Sequence, residues 1–187
     1  MSISAPRRER LTFLCSVRGR HPSSFSVSGH PSSLTAKANK DILCCSWYPR
    51  SSLDRLLTMA WFSMWLFIWD DVVEDSVIPE SEDDKKVDWL QDSALKYVEF
   101  HLGLSDSAVE PPPPTKYCTI FKHAGAPLRA DSSRRERQMF HDKLKQFMDD
   151  VKLESVYVRN KQLPTIEEYW GYRLGGSSVY AYCAIGE

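Results

Sequence analysis

The sequence lacks any C-x-x-C spacing, and its five cysteines (Cys15, Cys44, Cys45, Cys118 and Cys183) are odd in number. That argues against a disulfide framework or a paired-cysteine redox or zinc motif. It reads instead as reduced thiols in a cytoplasmic protein. A strong charge of either sign is also missing. The formal net charge is −1, so no global field draws the chain to nucleic acid or to a membrane surface. No run of about 20 apolar residues exists, the length a membrane-spanning helix needs. The longest, Leu56 to Trp69, has fourteen residues and is interrupted by Thr58 and Ser63. Nor does any stretch alternate apolar and polar residues as a half-buried strand does. What remains is a chain of 187 residues, 42% hydrophobic with six Trp, enough for one domain with a real core.

The chain is organised around residues 52–76, SLDRLLTMAWFSMWLFIWDDVVEDS. Leu53, Leu56, Leu57, Ala60, Trp61, Met64, Phe67 and Ile68 recur at helical spacing, while Phe62, Trp65, Leu66 and Trp69 fill the opposite side. A helix that is apolar all round is expected in the interior. Ser51 with Asp54 fits a capping box at its start. Asp70, Asp71, Glu74 and Asp75 then crowd its last turns. Asp70 and Glu74 share one face, and Asp71 and Asp75 form a second pair rotated by about 100°. A helix C-terminus prefers cations, so four carboxylates there call for compensation. Mg²⁺ is the usual compensating ion where a phosphate is also bound. A solvated helix end would explain a bare D-D-x-x-E. Behind an aromatic core helix, carboxylates must instead emerge at the mouth of an apolar cavity.

Residues 1–33 are Arg- and Ser-rich, carry a short His-Pro-Ser-Ser repeat at 21–24 and 30–33, and are expected to be disordered. A mitochondrial presequence has a similar composition, but no amphipathic helix supports it. Eight Lys or Arg fall in residues 1–50, whereas residues 70–84 hold eight acids and no base. A helix over Leu34–Trp47 closes at Tyr48-Pro49. After Ile78-Pro79, Ser81 and Asp84 cap a helix with Val87, Leu90, Ala94, Leu95, Val98 and Leu102 on one side, ending near Gly103. Pro111 to Pro114 form an extended spacer. Phe121–Ala130 is a short helix or irregular. Ser133 and Glu136 form a capping box for a long helix whose stripe is Met139, Phe140, Leu144, Phe147, Met148 and Val151. Every element is helical, and the class is all-α.

Thr165 and Glu168 cap the last helix, on which Ile166, Tyr169, Trp170, Arg173, Ser177 and Tyr180 share a face. A guanidinium among aromatics is usually paired with an anion, either a phosphate or a structural partner such as Glu136 or Glu154. Gly175-Gly176 is expected to interrupt the helix at roughly 1 kcal/mol per Gly, freeing backbone carbonyls toward a cavity.

Taken together, these blocks resemble class I terpene synthases, specifically fungal single-domain sesquiterpene cyclases. WYPRSSLDRLLTMAWFSMWLFIWDDVVEDS is similar to that family's helix leading into its aspartate-rich motif, and LPTIEEYWGYR to the segment bearing its diphosphate-sensing arginine. The resemblance implies that Asp70, Asp71 and Glu74 ligate Mg²⁺ (or Mn²⁺), with Asp70 the principal ligand. It implies that Arg173 binds the diphosphate, and that Gly176 and Ser177 direct a backbone carbonyl toward the developing cation. The implied reaction ionises and cyclises a prenyl diphosphate, farnesyl diphosphate first among candidates. Mg²⁺ and Arg173 would neutralise the leaving group. Trp61, Phe62, Trp65, Phe67, Tyr169, Trp170 and Tyr180 are the aromatics available for cation–π stabilisation.

The chain also departs from that family. Only fourteen residues follow Arg173, and none forms the family's Asn-Ser-Glu metal triad or its C-terminal Arg-Tyr pair. The expectation is therefore a partial terpene synthase domain over 34–187, the incomplete front of the helical bundle, with little or no cyclase activity as it stands. Product formed from farnesyl diphosphate would overturn that. A half-bundle leaves apolar surface uncovered and is expected to self-associate; a stable monomer would count against this. Two other readings are a non-catalytic partner-binding module, which a pull-down would reveal, and a prenyltransferase-type enzyme, whose second aspartate-rich motif is missing here.

Overall fold

A computed structural model describes residues 44, 46–76 and 83–186. The expected disorder of 1–33 and its boundary at 34, most of the first helix, and the Ser81 cap lie outside the described residues. The regular elements among the described residues are all helices, without a strand. In order they are α1 (Leu53–Ser76), α2 (Asp83–His101), a 3₁₀ turn (Lys116–Phe121), α3 (Lys122–Asp131), α4 (Arg134–Arg159), α5 (Ile166–Gly176) and α6 (Val179–Gly186).

Local chemistry explains most boundaries. Ser133 and Glu136 exchange both bonds of a capping box at α4, and Thr165 and Glu168 do the same at α5. At α1 the cap falls one residue later than expected: Ser52 Oγ, not Ser51, accepts the Arg55 N–H at 3.3 Å. Helix α2 closes with the Leu104 N–H donating to Glu99 and the Gly103 N–H to Phe100. This Schellman closure needs a left-handed residue, which Gly103 supplies at φ 64°. The Pro-rich segment that follows is tied back by Glu110, whose carboxylate lies 2.8 Å from Lys122 Nζ and 3.5 Å from His101 Nε2. The Lys122 hydrogen bond holds the Glu110 carboxyl below its ordinary pKa.

Helix α1 is the centre of the packing, with α3 and the 3₁₀ turn against one side, while α4 lies along α5 and α6. The expected α2 stripe (Val87, Leu90, Ala94, Leu95, Val98, Leu102) is buried throughout. So are Phe140, Leu144, Phe147 and Met148 of the α4 stripe, whereas Met139 is exposed. Helix α1 departs from the expectation of burial all round. Met59, Phe62, Leu66, Trp69 and Val73 face the core, but Leu53, Leu57, Trp61 and Met64 form an exposed stripe. The helix is also longer than its fourteen-residue apolar run. Leu53–Val73 is long and apolar enough to cross a membrane, with half of that window buried inside the fold. The fully enclosed Met59, Phe62 and Ser63 make α1 a core helix of this bundle.

Candidate functional site

Helices α1, α4 and α5 with the start of α6 border a half-open cavity of about 720 Å³. From α1 come Leu66, Phe67, Asp70 and Val73, and from α5 Arg173 and Gly176; Ser177 and Ser178 lie just beyond α5. From α4 come Phe147, Val151, Glu154, Ser155 and Val158, which continue the face of that helix's apolar stripe past Val151 at helical spacing but with two polar residues on it. Trp47 and Tyr182 complete the lining. The walls are therefore mostly apolar, with an acid on one wall and a guanidinium on another. Asp70, Arg173, Gly176, Ser177 and Phe67 were all expected from the sequence, and one cavity holds all five.

The remaining expected residues stand elsewhere. Asp71 is half-buried on α1 but does not line the cavity. The Glu74 side chain lies outside the described residues. Phe62 and Trp65 are core residues: Phe62 meets Phe140 edge-on at 5.1 Å, and Trp65 meets Phe121 at 5.2 Å. Trp61 stacks on His123 at 4.4 Å. Tyr169 and Trp170 pack edge to face on the exposed side of α5. Tyr180 carries the Lys143 ammonium over its ring at 5.2 Å. The rings that do border the cavity beside Phe67 are Trp47, Phe147 and Tyr182. They were missed because each belonged to a core stripe or to no stripe at all.

Tyr182 joins the cavity to the core. Its hydroxyl donates to Ser63 Oγ at 2.7 Å, and Ser63 in turn donates to the Met59 carbonyl at 2.8 Å. Burial pushes the Tyr182 phenol above its ordinary pKa, so it stays a protonated donor that ties α6 to α1. The Cys44 sulfur lies 3.4 Å from the Ser63 hydroxyl. No disulfide joins the cysteines among the described residues.

Two glycines were expected to break the last helix, but α5 runs through Gly176. The break falls at Ser177 and at Ser178, whose φ is 59°. Gly175 serves close packing instead. A Cβ there would stand 1.8 Å from Asp150 Oδ2 and 3.0 Å from Asp150 Cγ. That oxygen is buried without a hydrogen-bond partner. Burial, and then the neighbouring Asp149 charge, raise the Asp150 pKa against the opposing Gln146 amide. A raised carboxyl pKa means the folded state binds the proton more tightly than the unfolded state. Its ionisation therefore opposes folding above the folded-state pKa, and the penalty vanishes below the unfolded value of about 4. Asp150→Asn is expected to be more stable than the parent at neutral pH, with the gap closing as pH falls toward about 4. Urea midpoints across that range check this, and a gap independent of pH would refute it.

Arg173 Nη1 lies 3.7 Å from Glu154 Oε2, one of the two partners anticipated; the other, Glu136, is engaged in the α4 cap. Among the described residues no group of three or more His, Cys, Asp or Glu is assembled to hold a metal ion. The chemistry of the donors nonetheless suits a hard cation. Asp70 offers carboxylate oxygens at one wall, and Mg²⁺ is commonly held by one or two carboxylates plus water and phosphate oxygens.

Residues 62–187 match the family described as terpene synthase family 2, C-terminal metal binding. The chain is also 27% identical over 167 residues to sesquiterpene cyclase hepA of Aspergillus oryzae, covering 84% of this chain and 45% of that protein. It thus spans less than half the length of this curated relative. No solved structure matches.

Proposed function

The chain belongs to terpene synthase family 2, and on that premise we propose that it carries the diphosphate-ionising wall of a cytoplasmic terpene cyclase acting on a prenyl diphosphate, farnesyl diphosphate first. The observation that carries this reading is the shared cavity. Asp70 and Arg173 are over a hundred positions apart in sequence, yet both face one largely apolar space with Gly176 and Ser177. A prenyl diphosphate has the same division, an apolar chain with a highly charged head.

In this reading Arg173 grips the diphosphate oxygens through its planar fork. Asp70, Asp71 and Glu74 would hold Mg²⁺, or Mn²⁺ in its place. The metal would supply positive charge to stabilise the departing diphosphate. Phe67, Phe147 and Tyr182 line the apolar part, where exclusion of water protects a carbocation and ring faces stabilise it. The Ser177–Ser178 break, which borders the same space, would offer main-chain carbonyls to the developing cation. Trp61, Tyr169, Trp170 and Tyr180 have structural or surface roles instead.

The test is a titration of farnesyl diphosphate into the 187-residue chain with and without Mg²⁺, following tryptophan fluorescence. Binding should strengthen with Mg²⁺ in the parent and lose that dependence in Asp70→Asn. Equal Mg²⁺ dependence in both proteins would remove Asp70 from the metal site and the cyclase reading with it.

A further inference from the structure

A carboxylate lining a cavity that takes a diphosphate needs a reason to be there, since it repels the ligand. Glu154 is that carboxylate. It lies on α4 between Val151 and Val158, faces the same space as Arg173, and approaches the guanidinium at 3.7 Å. Packing fixes its place on α4. The α4 stripe is anchored through buried Phe147 and Met148, and the Tyr157 ring on α4 stacks on Tyr172 of α5 at 5.7 Å. Gly176 of α5 stands beside Glu154, where a Cβ would make an ordinary contact of 3.9 Å with Glu154 Oε2. The pair itself is loose. At 3.7 Å it is longer than a strong charge-assisted hydrogen bond, typically about 2.8 Å, and the two side chains are 46% and 35% exposed. A loose, half-exposed ion pair holds a side chain in place at small energetic cost and is readily exchanged for a stronger anion.

We infer that Glu154 is a positioning residue for Arg173, holding the guanidinium over the unliganded cavity and yielding it to the diphosphate. The inference rests on the reading of Arg173 as the diphosphate ligand. Glu154 sets affinity by competition: the diphosphate binds only as Arg173 exchanges one anion for the other. Neutralising Glu154 removes the competitor. Shortening it to Asp keeps the charge and most of the competition.

The experiment is calorimetric titration of inorganic diphosphate into the full 187-residue chain at low salt without Mg²⁺, so that metal ligation plays no part. The proteins compared are the parent, Glu154→Gln, Glu154→Asp, Arg173→Ala and the Glu154→Gln/Arg173→Ala double variant. Glu154→Gln is expected to bind roughly two- to fivefold more tightly, the effect of losing one half-exposed ion pair. Glu154→Asp should stay near the parent, and the double variant should match Arg173→Ala. Three results would overturn the inference: no gain in Glu154→Gln, weaker binding by it, or a gain that persists without Arg173, which would mean simple removal of negative charge. If the parent and Arg173→Ala bind alike, the assignment of Arg173 fails and the Glu154 inference falls with it. If Arg173→Ala binds more weakly while Glu154→Gln is unchanged, only the inference about Glu154 fails.

Discussion

Replacing Phe62 with alanine is expected to cost about 3–5 kcal/mol of stability, the range for a fully buried aromatic. Phe62 has no exposed surface. Its ring meets Phe140 at 5.1 Å and Tyr182 at 5.0 Å, and lies 6.1 Å from Trp65. Truncation leaves a void bounded by three elements that cannot all collapse into it. A domain is stable by roughly 5–15 kcal/mol, so the variant would stand close to unfolding. Urea denaturation of the parent, Phe62→Ala and the milder Phe62→Leu measures the effect, with Phe62→Leu keeping the comparison open if the alanine variant does not fold. The contrast is Phe67→Ala. Phe67 is 36% exposed at the cavity, so its loss should cost much less stability while changing what the cavity holds. A Phe62→Ala protein as stable as Phe67→Ala would place Phe62 in the cavity instead.

Arg173→Ala is expected to weaken binding of farnesyl diphosphate about ten- to a hundredfold. Hydrogen bonds to a charged partner contribute about 1.5–3 kcal/mol, and about 1.4 kcal/mol corresponds to a factor of ten. Stability should barely change, because the Arg173–Glu154 pair is half-exposed and such pairs contribute at most about 1 kcal/mol. Arg173→Lys should recover only part of the affinity, since a point charge cannot reproduce the planar fork. Titration of the three proteins followed by tryptophan fluorescence, with thermal melts alongside, separates binding from folding. Unchanged affinity in Arg173→Ala would remove the diphosphate assignment.

Much of this was legible in the sequence because the signals are local. A capping box spans four residues, so Ser133–Glu136 and Thr165–Glu168 could be read without knowing anything else in the fold. The stripe from Val87 to Leu102 contrasts with polar neighbours at a helical period, and that contrast identifies its buried face. Helix α1 offers no such contrast. Apolar on every side, it gives periodicity nothing to work with, and the residues singled out as its main stripe include Leu57, Trp61 and Met64, which are exposed. The choice of face was made by α3, α4 and the 3₁₀ turn packing against Phe62, Trp65 and Trp69. The same limit affected the aromatics: residue type shows that a ring can stabilise a cation, but not where the ring lies.

The glycine pair shows the distinction most clearly. The sequence showed that residues 175–176 tolerate something other amino acids do not, and helix interruption is the usual reason. Only the approach of Asp150 on α4 shows that Gly175 is there for space, while Ser178 makes the turn. By itself, then, the sequence determined an all-helical chain, its capped helix starts, and a carboxylate cluster and an arginine suited to a charged ligand. These depend on neighbours within one or two helical turns. Tertiary structure alone decided which rings line the cavity, that Asp70 and Arg173 face the same space, and that Glu154 stands beside that arginine. Those facts depend on how α1, α4 and α5 pack, a relation between residues far apart in the chain.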